Sequence, residues 1–291
     1  MPAPSTTTTN PSPLPPRFQI RQLGPEHLQW TKAIVAHANL LNSPVWPAVY
    51  PTAIPARCLA VFRGVDYLVR HQIESGMSFG VFDTQWVYRR AESASTGGAL
   101  YWDVDVDGDG DGDGDGSKGT NSTMAELLAQ MDFPLVSVAL SFDAFDALDM
   151  ARLQPLFDAL PLFPQLGAAF KARERREDAA GGGLAMPRAT ARGEVLQRNS
   201  TCTRADYERL GLMKGLAHWV MREAAGRGYR RIEIDPMHDA VVHVWMNPPP
   251  PFRAAKVCEV SIREFGEVVG GEVVRFEHVD QVCPRVCVVL Q

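Results

Sequence analysis

In residues 207 to 234, YERLGLMKGLAHWVMREAAGRGYRRIEI, cations and glycines are spaced as a site for an anion requires. Arg209 and Lys214 flank Gly211 and Gly215, so positive charge stands beside backbone that a ligand can approach closely. A strand ends before this run and a helix starts at Gly211. The first N–H groups of a helix lack partners within it, and the helix dipole adds partial positive charge there. Such a start is a phosphate site in its own right. A dinucleotide fingerprint would need Gly-x-Gly-x-x-Gly, and these glycines are not so spaced, although Asp235 ends the next strand. The other chemical suggestion is the Asp-Gly repeat. Counting from Asp103 or Asp105, position twelve is Gly114 or Gly116, where an EF-hand loop needs Glu. The repeat therefore reads as a solvated insertion, and no metal ligands are assigned. Cys283 and Cys287 lack the two further ligands of a zinc site.

The elements that must position this site follow from periodicity. Residues 194 to 203 alternate as a strand, 211 to 225 carry an apolar stripe at Met213, Leu216, Val220 and Ala224, and 230 to 235 return as a strand. A short helix at 238 to 246 ends at the proline run 248 to 251. Upstream, 18 to 23, 78 to 89 and 134 to 141 read as strands, and 26 to 41 and 56 to 74 as helices. Residues 148 to 171 read as helical pieces broken by Pro155, Pro161 and Pro164, and 173 to 193 as a loop. Residues 256 to 262 and 282 to 290 are closing strands.

Of the 291 residues, 45% are hydrophobic and 22% charged, a composition that can build a core. No apolar run approaches the ~20 residues of a membrane span. The net charge of -5 comes from seven aspartates between Asp103 and Asp115; without them 29 Lys and Arg face 27 Asp and Glu. The body thus offers no basic footprint for nucleic acid. Five scattered cysteines do not make a disulfide framework, which places the chain in a reducing compartment, the cytoplasm with the nucleus left open.

With its following strand and helix, the glycine unit resembles the core of the GCN5-related N-acetyltransferases, the GNAT superfamily. That family's mark is Gln/Arg-x-x-Gly-x-Gly/Ala at such a helix start. Here Glu208, Gly211 and Met213 take the three positions, and only Gly211 matches strictly. The run HDAVVHVW is similar to the family's Asn-x-Ala-Ala-x-x-x-Tyr helix, with His238 at the Asn position and Trp245 at the Tyr position. More narrowly, the two runs look like those of fungal GNAT-like proteins. The resemblance implies acetyl-CoA, or another acyl-CoA, as co-substrate. It implies that the backbone of Thr201, Cys202 and Thr203 pairs with the pantetheine arm. It implies that Arg209, Leu210, Gly211, Leu212, Met213, Lys214 and Gly215 cradle the pyrophosphate. Cys202 would lie near the thioester, though it reads first as an alternating strand residue. Where the family has a Tyr acid, Trp245 supplies a donor that is not a usable acid. The catalytic candidates are therefore Trp245 with His238 and His243.

The expected architecture is α/β: a leader over residues 1 to 17 that is disordered, then one GNAT-like domain over 18 to 291. Its mixed, mostly antiparallel sheet splays at the site and carries helices on both faces. Insertions at 92 to 123 and 143 to 192 enlarge it. The expected activity is acyl transfer, acetyl foremost, from acyl-CoA to an amine of a small molecule or protein. The alternative is a non-catalytic acyl-CoA-binding or interaction protein on the same scaffold.

Overall fold

β-Branched and aromatic runs become strands wherever a helix covers them, and the longest of these runs pair into one sheet. The computed structural model describes residues 10–103, 122–179, 188–269 and 271–291; the Asp-Gly repeat from residue 104 onward lies outside them. Strand β1 (Phe18–Gln22) leads into α1 (Leu28–Asn42), α2 (Trp46–Val49), α3 (Ile54–Gly64) and α4 (Asp66–Glu74). Then come β2 (Phe79–Asp83), α5 (Ala91–Thr96), β3 (Ala99–Leu100), α6 (Met124–Ala129), β4 (Met131–Asp132) and β5 (Leu135–Asp143). Helices α7 (Gln154–Ala159) and α8 (Leu162–Ala179) precede β6 (Val195–Thr203), α9 (Leu212–Gly226), β7 (Arg231–Ile234) and α10 (Asp239–Met246). The chain closes with β8 (Arg253–Ser261), β9 (Gly266–Val269), β10 (Glu272–Arg275) and β11 (Val282–Val289).

Seven strands form the sheet in the order β1-β2-β5-β6-β7-β11-β8. Every neighbouring pair is antiparallel except β6 and β7, which run parallel. This is the mixed, mostly antiparallel sheet expected. Small pairs β3–β4 and β9–β10 stand beside it. β5 is buried along its whole length, because helices cover both faces. On one face, Val138 and Leu140 join the apolar sides of α1, α3, α4, α7 and α8. On the other, Val136, Ala139, Ile232 and Val286 meet α9 and α10. Leu212, Leu216, Trp219, Val220 and Ala224 of α9 are all buried, at the spacing of one helix face. No helix among the described residues is long and apolar enough to cross a membrane.

Several boundaries differ from the sequence reading. The helix expected over 56 to 74 is two, because α3 ends at Gly64; a Cβ there would meet the Pro155 carbonyl at 2.6 Å, so α7 packs directly on the backbone. The prolines of 155 and 164 do not break helices. They sit in the first turns of α7 and α8, where a missing N–H costs nothing. α8 then runs through residues expected to form a loop, to Ala179, and its charged side is engaged by Arg173–Glu264 and Arg285–Glu174 ion pairs. The strand expected over 78 to 89 stops at Asp83, whose carboxylate accepts the Gln85 N–H and turns the chain. Residues 10 to 17, expected within a disordered leader, lie along α9. Asn10 and Trp219 exchange two hydrogen bonds of 2.9 and 3.0 Å, and Leu14 packs on Gly215.

Candidate functional site

β6 and β7 are paired only from Val195↔Arg231 to Arg198↔Ile234. Beyond that point β7 ends, and Asp235 is drawn into a two-bonded ion pair with Arg285 of β11, at 2.8 and 2.7 Å. β6 continues to Thr203, paired with β5 alone, after a bulge in which Ser141 opposes Arg198 and Leu140 opposes Ser200. On its other side, the backbone from Asn199 to Thr203 has no strand partner among the described residues.

Arg198 holds this parting in place. Its residue surface is 1% exposed, and its guanidinium donates to the Leu140 carbonyl and Thr201 Oγ1 at 2.5 Å, the Ser200 carbonyl at 3.0 Å and Ser141 Oγ at 3.1 Å. These acceptors lie on both strands and on both sides of the bulge. The guanidinium also faces the Trp245 ring, 5.6 Å from its centroid. Burial pushes the Arg198 pKa down to about 9, which leaves the group cationic at neutral pH. Two of its four acceptors come from β5, nearly sixty residues away in the chain, so its sequence neighbourhood alone does not mark this arginine.

The turn from β6 into α9 is fixed from the opposite edge of the sheet. The Tyr207 hydroxyl donates to Asp83 at 2.6 Å, and Arg17 binds the same carboxylate with two bonds, at 2.9 and 2.6 Å. Burial tends to raise the Asp83 carboxyl, but bonds from Arg17, Tyr207 and the Gln85 N–H outweigh it and hold the group below the usual carboxylate range. Burial, reinforced by the bond to Asp83, pushes the Tyr207 phenol up to about 12. Arg209 (φ 63°) and Gly211 (φ 74°) both take left-handed backbone, and Gly211 caps α9 without any side-chain hydrogen bond. The first N–H groups of α9 are thus left for a ligand, as an anion site requires.

Both features open onto one cavity of about 520 Å³. Of the residues expected to hold the cofactor, Thr201, Cys202, Thr203, Arg209, Gly211, Leu212, Met213 and Lys214 line it. Leu210 and Gly215 do not. Leu210 is 52% exposed, and Gly215 faces Leu14, where a Cβ would stand 2.3 Å from that side chain. Of the catalytic candidates only His238 lines the cavity. Its Nδ1 accepts the Ala240 N–H at 3.0 Å and caps α10, so the neutral ring carries its proton on Nε2. His243 is exposed and outside the lining. Trp245 is fully buried against Arg198 and does not reach the lining. Cys202 lies on the lining with its thiol pushed up to about 12 by burial, 3.6 Å from Asn39 Nδ2. Asn39, Asn42, Glu208 and Asp235 also line the cavity. The Asn42 side chain binds the Glu208 carboxylate, a contact between α1 and the α9 turn that no local pattern announces. Among the described residues no group of three or more His, Cys, Asp or Glu is placed to hold a metal.

No protein-family model and no curated protein matches the chain. Solved structures do match over nearly its whole length. Arylalkylamine N-acetyltransferase 2 from Aedes aegypti superposes with a TM-score of 0.55 at 10% identity, covering 94% of this chain and 99% of that one. The C-terminal condensation domain of Ebony, in complex with beta-alanyl-dopamine, gives 0.54 at 12% identity, with 93% and 98% covered. A putative arylalkylamine N-acetyltransferase 7 from the yellow fever mosquito gives 0.53 at 10%, with 94% and 88% covered. With its parted parallel strands and the uncapped helix beside them, the chain has the GNAT-like N-acyltransferase fold.

Proposed function

We propose that this protein is an acyl-CoA-dependent N-acyltransferase that moves an acyl group, acetyl foremost, from the thioester to a primary amine. One observation carries the reading: the unpaired β6 backbone and the uncapped start of α9 face the same cavity. A pantetheine arm carries amides that complete such a strand edge, and its pyrophosphate suits the N–H groups of α9 with Arg209 and Lys214 beside them. The reaction then needs the two substrates held together and the thioester carbonyl polarised. The amine nitrogen attacks the carbonyl carbon, the carbon–sulfur bond breaks, and the proton shed by the nitrogen passes through water to the departing thiolate. His238 Nε2–H is a hydrogen-bond donor on the lining that can stabilise the charge developing on the thioester.

Calorimetry with acetyl-CoA tests the site, and thiol release across a panel of amines tests turnover. All five cysteines are buried, and a blank without amine subtracts any signal from the protein's own thiols. Saturable binding with amine-dependent release is expected. Absence of binding at high micromolar acetyl-CoA overturns the reading; binding without release for any amine favours an acyl-CoA-binding protein instead.

A further inference from the structure

The cavity divides sharply in chemistry. Its charged and titratable lining groups lie on β6, on residues 207 to 214 and on residues 235 to 238, which together form the cofactor end. The remaining wall comes from α1, α2, α3, α4, α7 and the start of α8, and it carries no ionisable side chain. Val35, Val61, Val65, Leu156, Leu160 and Phe163 make half of it. Each of its Asn and Ser side chains makes a bond within the protein. Asn39 donates to the Val35 carbonyl at 2.9 Å, Asn42 binds Glu208, and Ser43 Oγ accepts the Val45 N–H at 3.2 Å. A charged group placed against this wall would lose its hydration and gain no ion-pair partner from it. Of the two carboxylates of the lining, Asp235 is paired with Arg285, and Glu208 stands at the cofactor end.

We infer that this inner half binds an uncharged hydrocarbon or aryl group of about six carbons attached to one of the two reacting molecules, so that one substrate is an apolar amine or a medium-chain acyl thioester. The inference rests on the acyltransfer reading for the identity of those molecules, and on the lining alone for the chemistry of the group. The total volume of about 520 Å³ lies within the range of small-molecule sites, roughly 300–1,000 Å³, and accommodates such a group beyond a thioester end.

Two matched ligand pairs separate the sources. Calorimetry compares hexanoyl-CoA with acetyl-CoA, and hexylamine with hexane-1,6-diamine, the amines with and without CoA present. Each buried methylene is worth roughly fourfold in affinity, so the longer or less charged member of at least one pair should bind about tenfold tighter or better. Preference within the first pair assigns the pocket to the acyl group; preference within the second assigns it to the amine. The variant Ala38→Phe fills the pocket from α1 and should erase the preference. No preference in either pair overturns the inference, as does a preference that survives in Ala38→Phe, provided the variant melts cooperatively; Val65→Phe fills the pocket from α3–α4 if it does not. Failure of CoA and acetyl-CoA to bind overturns the acyltransfer reading, while the amine pair still decides for or against an apolar pocket.

Discussion

His238 does two things with one ring, and the two are separable. Its Nδ1 caps α10, and the residue also lines the cavity. Asparagine is among the best N-cap residues, so His238→Asn preserves the helix start and removes the imidazole N–H. Acetyl transfer should fall roughly 10²-fold in kcat with acetyl-CoA affinity held, the scale of one lost donor to a developing negative charge; unchanged kcat in steady-state kinetics removes His238 from the mechanism. Asp83 allows a pH argument. Its folded pKa is depressed, so the bonds from Arg17 and Tyr207 contribute stability that is full above the unfolded carboxylate value and is lost as pH falls through the folded value. Asp83→Asn should therefore cost about 1.5–3 kcal/mol at pH 7, the worth of hydrogen bonds to a charged group. The gap between parent and variant should narrow on acidification below about pH 4. Urea unfolding at the two pH values checks the sign, and a gap that widens in acid contradicts it.

At the scale of elements, α9 is built against two neighbours, the sheet and the N-terminal segment. Gly215 is the fourth residue of α9, a helical position where alanine would ordinarily stabilise by about 1 kcal/mol. Here the added Cβ would press on Leu14, a flexible side chain whose packing would be lost. Gly215→Ala should thus be near neutral in the full chain and stabilising by about 1 kcal/mol once residues 1 to 16 are deleted. Equal effects in both backgrounds, measured by denaturant titration, would show that the segment does not act on α9. The four elements from β6 to α10 were legible in the sequence because each is a long periodic run ended by glycine or proline. α8 was not, since RERRE, residues 173 to 177, is a polar helical surface whose stabilising partners, Glu264 and Arg285, lie far along the chain. The same holds within the site. Arg209, Gly211 and Lys214 announced themselves by local spacing, whereas Arg198 and the apolar wall from α1, α3 and α7 exist only through tertiary contact. Trp245 was assigned to the site by alignment to a motif, and only its burial shows that the side chain points away.

On the scale of the whole molecule, the cavity lies where both apolar clusters end, so a ligand there touches elements from each face of the sheet. Binding should therefore stabilise the entire fold and not one half of it. At CoA a hundredfold above its Kd the gain is ≈ 2.7 kcal/mol, which for a chain of this size corresponds to a rise in Tm of roughly 4–5 °C. The shift should appear as one transition moving intact in calorimetric scans; a split endotherm with only one component moving would show that the halves are uncoupled.

The bulged end of β6 bears on how an open strand edge is kept from pairing with another chain. A strand with open N–H and C=O groups invites another chain to add on, and proteins ordinarily guard such edges with charge, proline or short length. Residues 199 to 203 are guarded differently: β6 lies inside the sheet order, between β5 and β7, with α1 and α9 packed against it. Enclosure serves here the purpose that charge or proline serves on an outer strand.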